Sequence, residues 1–218
     1  MEHTLTKHYK AIIWDWNGTL LDDLEICIDA MNMMLHKRGY KLLEKQHYKE
    51  IFTFPVRDYY ERVGFDFEKH DWETIALEFI RNYRDLIHKS LLHDRVNEVV
   101  SYFQTAGKRQ FILSAMHQDF LVETISARLD PSKFEIIAGL GDHYAESKAG
   151  NAHILVDKTG LSKDRIVMIG DTIHDYEVAH ETGIDCILVA DGHQSKERLE
   201  TTGTKVLNNL GELIDLFN

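Results

Sequence analysis

The chain of 218 residues is long enough for one Rossmann-like domain with an insertion, and with 44% hydrophobic and 28% charged residues it needs no disulfides to stabilise a core. A formal net charge of −11 without a Lys- or Arg-rich run argues against binding to nucleic acid or to an anionic membrane. No run approaches the roughly 18 apolar residues of a membrane span, and residues 1–10 lack the apolar stretch of a signal peptide, so we expect a cytoplasmic protein.

The first predicted element is a buried strand at residues 11–14, a short apolar run that ends at Asp15. From residue 22 to residue 91, apolar side chains instead recur at three- and four-residue spacing, as in 24–34 and 72–86, which predicts helices. We expect 22–91 to be a helical cap inserted after the first strand, above the strand ends, where it acts as a lid. A purely structural helical subdomain is the alternative.

Strands and helices alternate after the insertion. Further buried strands are predicted at 110–113, 134–137, 165–169 and 185–189. Amphipathic helices are predicted at 96–103, 120–129 and 174–181. This alternation predicts an α/β fold, in which residues 1–21 and 92–218 form a Rossmann-like parallel sheet flanked by helices.

Short polar residues follow three of the predicted strands: Asp15, Ser114 and Asp171. Ligands of parallel α/β sheets bind beyond the carboxyl ends of the strands, so these three side chains are expected to share one site. Carboxylate oxygens suit a hard divalent cation such as magnesium, and a carboxylate nucleophile can divide the hydrolysis of a phosphate ester into two steps.

The segment Asp15-Trp16-Asn17-Gly18-Thr19-Leu20 resembles the first motif of the haloacid dehalogenase superfamily, Asp-x-Asp-Gly-Thr-Leu. Ser114, Lys148 and the run 170–175 stand in the order of the superfamily's other motifs. The chain looks most similar to phosphoglycolate-phosphatase-like members, which carry a helical cap of the first type. The resemblance covers nearly the whole chain.

The resemblance implies a magnesium-dependent phosphatase that hydrolyses a small phosphorylated metabolite through an aspartyl-phosphate on Asp15. The implied metal ligands are Asp15, Asp171 and the backbone carbonyl of Asn17, with Asp175 acting through water or as a supporting partner. The implied phosphate-binding groups are Ser114 with the following backbone N–H groups from Ala115 onward, Thr19, and the ammonium of Lys148.

Residue 17 departs from the family pattern. Phosphatases of this superfamily usually have Asp there, which protonates the leaving oxygen and then activates water; the amide of Asn17 does neither at neutral pH. We therefore expect weak turnover of alkyl phosphates, or another proton carrier, for which His117 and His143 are candidates.

Three further expectations stay open at this level. Arg57 either contacts a substrate carboxylate or phosphate from the cap, or is a solvated residue at a helix start. Cys27 and Cys186 are far apart in sequence with no Cys/His cluster, so no zinc site is expected. Besides a phosphatase, either monomeric or homodimeric, the alternatives are another phosphotransfer chemistry on the same scaffold and a catalytically weakened protein that binds a phosphorylated ligand or partner.

Overall fold

The computed structural model describes residues 8–141 and 147–218. In chain order, its strands are β1 (Ala11–Trp14), β2 (Leu21–Asp22), β3 (Leu91–Leu92), β4 (Arg109–His117), β5 (Ile136–Leu140), β6 (Ile166–Gly170), β7 (Asp185–Val189) and β8 (Lys205–Leu207). Its α-helices are α1 (Leu24–Lys37), α2 (Lys45–Ile51), α3 (Val56–Val63), α4 (Trp72–Leu86), α5 (Val96–Thr105), α6 (Gln118–Ser126), α7 (Lys148–Thr159), α8 (Ile173–Thr182), α9 (Lys196–Glu200) and α10 (Glu212–Phe217). Within the described ranges, no helix is both long and apolar enough to cross a membrane.

Six of the strands form one sheet in the order β5-β4-β1-β6-β7-β8, and every neighbouring pair in it is parallel. The first strand of the chain therefore lies inside the sheet, between β4 and β6. This arrangement confirms the predicted α/β fold class with a Rossmann-like parallel sheet.

Both faces of the sheet are covered by helices, which explains why its inner strands are apolar throughout. On β1, Ile12 and Trp14 pack in one cluster with α5, α6 and α10, while Ala11 and Ile13 pack in another with α7 and α8. All four side chains are fully buried. The short apolar run in the sequence thus becomes a strand with two buried faces.

The segment between β2 and β3 contains helices α1 to α4 and has an apolar cluster of its own. Met31 and Met34 of α1 meet Tyr48, Tyr60 and Ile75 from the other three helices. Strands β2 and β3 pair antiparallel at the two ends of the segment, Leu21 opposite Leu92. The helical character predicted for residues 22–91 matches these elements, and the division of the chain into core and cap stays a proposal.

Strand β4 differs from its prediction because it runs past Ser114 to His117. Its register with β5 shifts between Leu113 and His117. The Gln118 side chain bridges this region, since its Oε1 accepts from the N–H of Gly139 at 2.6 Å and its Nε2 donates to the carbonyl of Ile137 at 3.1 Å. These bonds extend the pairing beyond the apolar run visible in the sequence.

Candidate active site

The carboxylates of Asp15 and Asp171 meet because their strands are neighbours. Asp15 follows β1, and its N–H donates to the carbonyl of Ile169 in β6 at 2.9 Å. The hydroxyl of Thr19 donates to Asp171 Oδ1 at 2.9 Å and lies 3.5 Å from Asp15 Oδ2. Both aspartates are at most 5% exposed. The two predicted metal ligands therefore share one buried position beyond the strand ends.

Lys148 supplies the positive charge of this cluster from the first residue of α7. Ser147 caps that helix through the N–H of Gly150, at 3.2 Å. The Lys148 ammonium forms ion pairs with Asp15 and with Asp175, the latter at 2.5 Å. Burial disfavours its charge, but the two carboxylates outweigh burial and raise the pKa of Lys148 above its ordinary value. The lysine thus stays charged at neutral pH.

Asp175 anchors the loop that follows β6. Its Oδ2 accepts from the hydroxyl and the N–H of Thr172, at 2.7 and 3.0 Å, and the two residues form a capping box at the start of α8. Burial opposes ionisation, yet Lys148 and these hydrogen bonds hold the pKa of Asp175 below its ordinary value. An ionised Asp175 in turn fixes the position of Lys148.

The donor set of Asp15, Asp171 and Asp175 fits a hard divalent cation. One carboxylate oxygen from each lies within 4.8 Å of the others. Burial, followed by repulsion from neighbouring carboxylates, raises the pKa of Asp15 and Asp171 despite nearby positive groups. Carboxylate oxygens are the protein ligands that magnesium prefers.

Two glycines allow the loop before α9 to approach this cluster. A Cβ on Gly192 would overlap Asp171 Oδ2 and the carbonyl oxygen of Gly18, and a Cβ on Gly18 would overlap Asp171 Oδ2 and the His193 ring. Gly18 also has a φ of +74°, which few other residues adopt. The close approach lets the N–H of His193 donate to Asp171 Oδ2 at 2.6 Å.

The side chain of Asn17 is held in a buried polar network. Its amide donates to Asp23 Oδ2 and lies near Tyr83 Oη, both at 2.8 Å, and its carbonyl accepts from the Ser114 hydroxyl at 3.2 Å. Tyr83 donates to the same Asp23 oxygen at 2.6 Å, and the N–H of Gly18 donates to the other at 2.9 Å. The residue that departs from the family pattern therefore has a partner at both ends.

His193 completes this network by pairing with Asp23. Its Nε2 lies 3.3 Å from Asp23 Oδ1, and its Nδ1 lies 2.9 Å from Tyr48 Oη. Burial disfavours the imidazolium, but Asp23 outweighs burial and raises the pKa of His193 to about 9. The same pairing keeps the pKa of Asp23 below its ordinary value, although burial opposes it. The two groups form a charged pair inside the protein.

The sequence did not identify Asp23, Tyr83 and His193 as site residues. Asp23 precedes α1 and would be interpreted as its N-cap, yet its side chain makes no cap bond and points to residues 17 and 18 instead. The structure also brings Cys27 within 4.8 Å of Asp23 and His193, a proximity that sequence spacing does not reveal. This proximity was not expected from the sequence, and the expectation that the chain has no zinc site stays a prediction.

Ser114 and Ala115 lie where the phosphate-binding groups were expected, within the last part of β4. Ser114 is 1% exposed, and its hydroxyl accepts from the N–H of Met116 at 3.0 Å while donating to Asn17. Ala115 lines the cavity described below. Helix α6 begins only at Gln118, so this segment is strand rather than a helix start.

A cavity of about 340 Å³ opens over Asp15, Asn17 and Lys148. Its polar floor is formed by the site residues. Its walls are mostly aromatic rings. Phe120 comes from α6, and the other rings come from the segment between β2 and β3: Phe52, Phe54, Tyr60, Trp72 and Phe79. We call it the aromatic cavity.

Arg57 and the two candidate proton carriers have different positions. Among the described residues, those lining the aromatic cavity do not include Arg57, whose side chain is 54% exposed, 3.6 Å from Glu61, and 5.3 Å from the ring centre of Phe67. This position is that of the solvated alternative. His117 is exposed and lines the cavity, while His143 lies outside the described residues.

Comparison with protein families gives one match that spans most of the chain. Residues 12–189 match the family model described as "Haloacid dehalogenase-like hydrolase". The matched range includes Asp15, Ser114, Lys148 and Asp171, which are the four positions on which the sequence resemblance was based.

Individual relatives agree with this match. The chain is 23% identical to an N-acetylmuramic acid 6-phosphate phosphatase of Pseudomonas aeruginosa, over 96% of this chain and 95% of that protein. It is 24% identical to a phosphoglycolate phosphatase of Chromobacterium violaceum, over 97% of each. A hydrolase of the haloacid dehalogenase-like family from Streptococcus pneumoniae has the same fold, with a TM-score of 0.78 at 18% identity over 97% of this chain and 99% of that chain.

Proposed function

The chain belongs to the haloacid dehalogenase-like hydrolases, and we propose that it is a magnesium-dependent phosphatase that acts on a small phosphorylated metabolite through an aspartyl-phosphate on Asp15. The two curated relatives named above are both phosphatases of small phosphorylated compounds. The observation that carries the proposal is the Asp15 carboxylate, held between Lys148 and Asp171 on the floor of a cavity.

In the first step, an Asp15 carboxylate oxygen attacks phosphorus as the bond between phosphorus and the leaving oxygen breaks. The Lys148 ammonium favours the ionised form of Asp15 against the effect of burial, and it offsets the charge of the incoming phosphoryl group. The Ser114 hydroxyl and the backbone after it bind phosphoryl oxygens. Thr19 orients Asp171 through its 2.9 Å hydrogen bond.

Asp15, Asp171 and the backbone carbonyl of Asn17 would hold magnesium, with Asp175 supporting them through Lys148 and Thr172. Bound magnesium supplies positive charge that neutralises the phosphoryl oxygens and Asp15. The His193 N–H donates to the second Asp171 oxygen and restrains it. Lys148 is thus paired with Asp15 and Asp175, while Asp171 is held by Thr19 and the N–H of His193.

In the second step, water attacks the phosphorus of the aspartyl-phosphate, which releases inorganic phosphate and restores the Asp15 carboxylate. A general base typically contributes about 10²–10⁴-fold to such a step. The amide of Asn17 neither gives up nor takes a proton at neutral pH, and it donates a hydrogen bond to Asp23. Among the described residues, His117 is the candidate for taking the proton from water, because it is exposed and lines the cavity.

The test is release of phosphate from p-nitrophenyl phosphate, whose good leaving group needs little acid help. We expect activity that requires magnesium and is abolished by Asp15→Asn. A panel of metabolite phosphates, with and without magnesium, then identifies the substrate. Activity that is unchanged in Asp15→Asn would overturn the proposal.

Asn17 favours a second candidate, a catalytically weakened protein that binds a phosphorylated ligand or partner. This hypothesis predicts that magnesium and phosphate bind without turnover of any ester.

We further propose that α1 to α4 act as a cap that selects the substrate, and that the protein is cytoplasmic, as a monomer or homodimer. Size-exclusion chromatography with light scattering tests the oligomeric state.

A further inference from the structure

The aromatic cavity has two chemically different ends. Asp15 and Lys148 form its floor, while rings such as Phe54, Trp72 and Phe79 form its walls. An apolar cavity of about 150 Å³ can take up benzene, so about 340 Å³ accommodates one or two rings as well as a phosphoryl group. The space therefore suits a substrate whose non-phosphate part is apolar.

A second anionic group on the substrate would find no free lysine or arginine among the described residues that line this cavity. Lys148 is the only lysine or arginine among the described residues that line it, and its ammonium is already paired with Asp15 and Asp175. His193 also lines the cavity, but its ring is paired with Asp23. Burying an unpaired carboxylate or phosphate against aromatic walls carries a large desolvation penalty.

Asn17 restricts the leaving group independently of the cavity walls. Residue 17 supplies no proton to the leaving oxygen, so esters whose leaving oxygen needs no proton are favoured. A phenol has a pKa of about 10, as in tyrosine, compared with about 16 for water, so a phenolate leaves far more readily than an alkoxide. The residue at position 17 thus favours an aryl ester for a reason unrelated to apolar packing.

The wall of the cavity also contains a buried polar group without a partner. Tyr59 lines the cavity and is 2% exposed, and its hydroxyl has no hydrogen-bond partner among the described residues. An unpaired buried hydroxyl typically costs about 1–3 kcal/mol. The Tyr59 ring thus belongs both to the cavity wall and to the apolar cluster of the helical segment, and its hydroxyl lowers stability there.

From these contacts we infer that the substrate is an aryl phosphate monoester without a second anionic group, and that its ring packs against the walls of the aromatic cavity. The inference rests on the proposed phosphatase function and specifies its substrate class. Asp15 forms the bond to phosphorus, the phosphorus–aryl oxygen bond breaks with its electron pair on oxygen, and the phenolate takes a proton from water. Water then cleaves the aspartyl-phosphate to phosphate and the Asp15 carboxylate, with one proton released.

The test compares four esters with the magnesium-loaded enzyme: 2-naphthyl, phenyl and benzyl phosphate, and phosphoglycolate. We expect kcat/KM for phenyl phosphate to exceed that for phosphoglycolate by about a hundredfold, because the latter has both an alkoxide leaving group and a second anion. Naphthyl phosphate should exceed phenyl phosphate by about tenfold, since their leaving phenols are similarly acidic and only the buried apolar area differs.

Two matched variants on α4 separate cavity binding from intrinsic ester reactivity. Ile80 lines the cavity and is 49% exposed, while Leu77, 59% exposed, does not line it. Ile80→Lys should lower kcat/KM for naphthyl phosphate by about tenfold and raise it for phosphoglycolate, since it removes apolar contact and adds a counterion. Leu77→Lys should change neither.

Three results overturn the inference. Turnover of phosphoglycolate at or above that of phenyl phosphate rules out the substrate class, as does a naphthyl ester no better than the phenyl ester. If Ile80→Lys has the same kcat/KM values as Leu77→Lys, the cavity does not determine which ester is preferred. In each case, continued Asp15-dependent hydrolysis of p-nitrophenyl phosphate leaves the proposed phosphatase function intact, whereas no hydrolysis of any ester overturns both.

Discussion

The side-chain amide of Asn17 donates a 2.8 Å hydrogen bond to the carboxylate of Asp23. A carboxylate at residue 17 would instead face that of Asp23 at hydrogen-bond distance. Two carboxyl groups at this distance do not both ionise easily, and one of them keeps its proton at pH values well above its ordinary pKa. The neighbourhood of residue 17 is therefore suited to holding a protonated acid near neutral pH.

Asn17→Asp is expected to increase kcat for a poor-leaving-group ester such as benzyl phosphate by about tenfold or more, because the new carboxyl can protonate the leaving oxygen. The increase for p-nitrophenyl phosphate should be smaller, since that ester needs little acid help. Steady-state kinetics with both esters measure the difference. A variant with no gain on either ester shows that another group already transfers the proton, or that residue 17 does not face the leaving oxygen.

The double variant Asn17→Asp/Asp23→Asn is the matched control. It preserves one carboxyl and one amide at the two positions but removes the repulsion that keeps a proton on the acid. If the raised pKa of the new acid matters, the pH–rate profile of the double variant should fall off at lower pH than that of Asn17→Asp.

Lys148→Met should abolish most of the activity, by a factor of about a hundred or more, because a preorganised charged donor is lost. It should also destabilise the fold in a pH-dependent way. Asp15 and Asp175 lose their shared cation, so their folded-state pKa values rise, and stability is lost as pH increases through those values.

Urea unfolding with chelator present, at pH 5 and pH 7.5, measures this effect. We expect the difference from wild type to be larger at pH 7.5, with breaking of a buried pair typically costing about 3–5 kcal/mol. Lys41→Met, at an exposed position, is the control. Equal destabilisation of Lys148→Met at both pH values would mean that removing the lysine does not change how many protons Asp15 and Asp175 bind between pH 5 and pH 7.5.

Magnesium should raise the melting temperature of the wild-type protein, because a ligand that binds only the folded state stabilises it by mass action. Asp171→Asn should remove most of that increase, since it replaces one of the two carboxylates that Thr19 brings together. Differential scanning fluorimetry across a magnesium titration tests this. An undiminished shift in Asp171→Asn would place the bound metal elsewhere.

The sequence predicted the elements that depend on local pattern. Residues 11–14 and 185–189 form strands with the predicted bounds, and the apolar spacing of 72–86 matches helix α4. Polar residues after buried strands correctly indicated that Asp15 and Asp171 would come together. Parallel strands place their carboxyl ends at one edge, so this part of the site follows from fold class alone.

The sequence did not predict the polar network around Asn17. Asp23 and His193 are joined by a contact between distant segments, and no periodicity reveals such a pair. Because Asp is common at helix N-caps, the position of Asp23 before α1 suggests a cap rather than a partner of Asn17 and His193. Helix α7 was missed as well, although Ser147 at its N-cap was an available signal. The contacts of this network depend on tertiary packing, which local sequence patterns do not encode.

The Asp23–His193 pair predicts how stability varies with pH. The pKa of His193 rises from 6.5 to about 9 on folding, so its contribution is fully present below pH 6.5 and is lost as pH rises through about 9. The pKa of Asp23 is lowered, so its contribution is present above pH 3.8 and is lost as pH falls below that value. The pair therefore stabilises the protein between these limits.

The measurement compares wild type with His193→Gln by urea unfolding from pH 6 to pH 10, with chelator present. The difference in unfolding free energy should be constant up to about pH 6.5 and then shrink by roughly 3 kcal/mol towards pH 10. A difference that does not change over this range would contradict a charged His193.

Tyr59 and Tyr48 offer a matched pair for testing the unpaired hydroxyl. Their rings meet edge to face with centroids 5.5 Å apart, but Tyr48 Oη lies 2.9 Å from His193 Nδ1, while the buried Tyr59 hydroxyl has no partner among the described residues. Tyr48→Phe should lower the free energy of unfolding by about 1 kcal/mol, because it removes a hydrogen bond. Tyr59→Phe should leave it unchanged or raise it, since no bond is lost and a desolvated hydroxyl is removed. Urea unfolding of the three proteins decides the matter, and equal losses in both variants would mean that Tyr59 has a partner in solution.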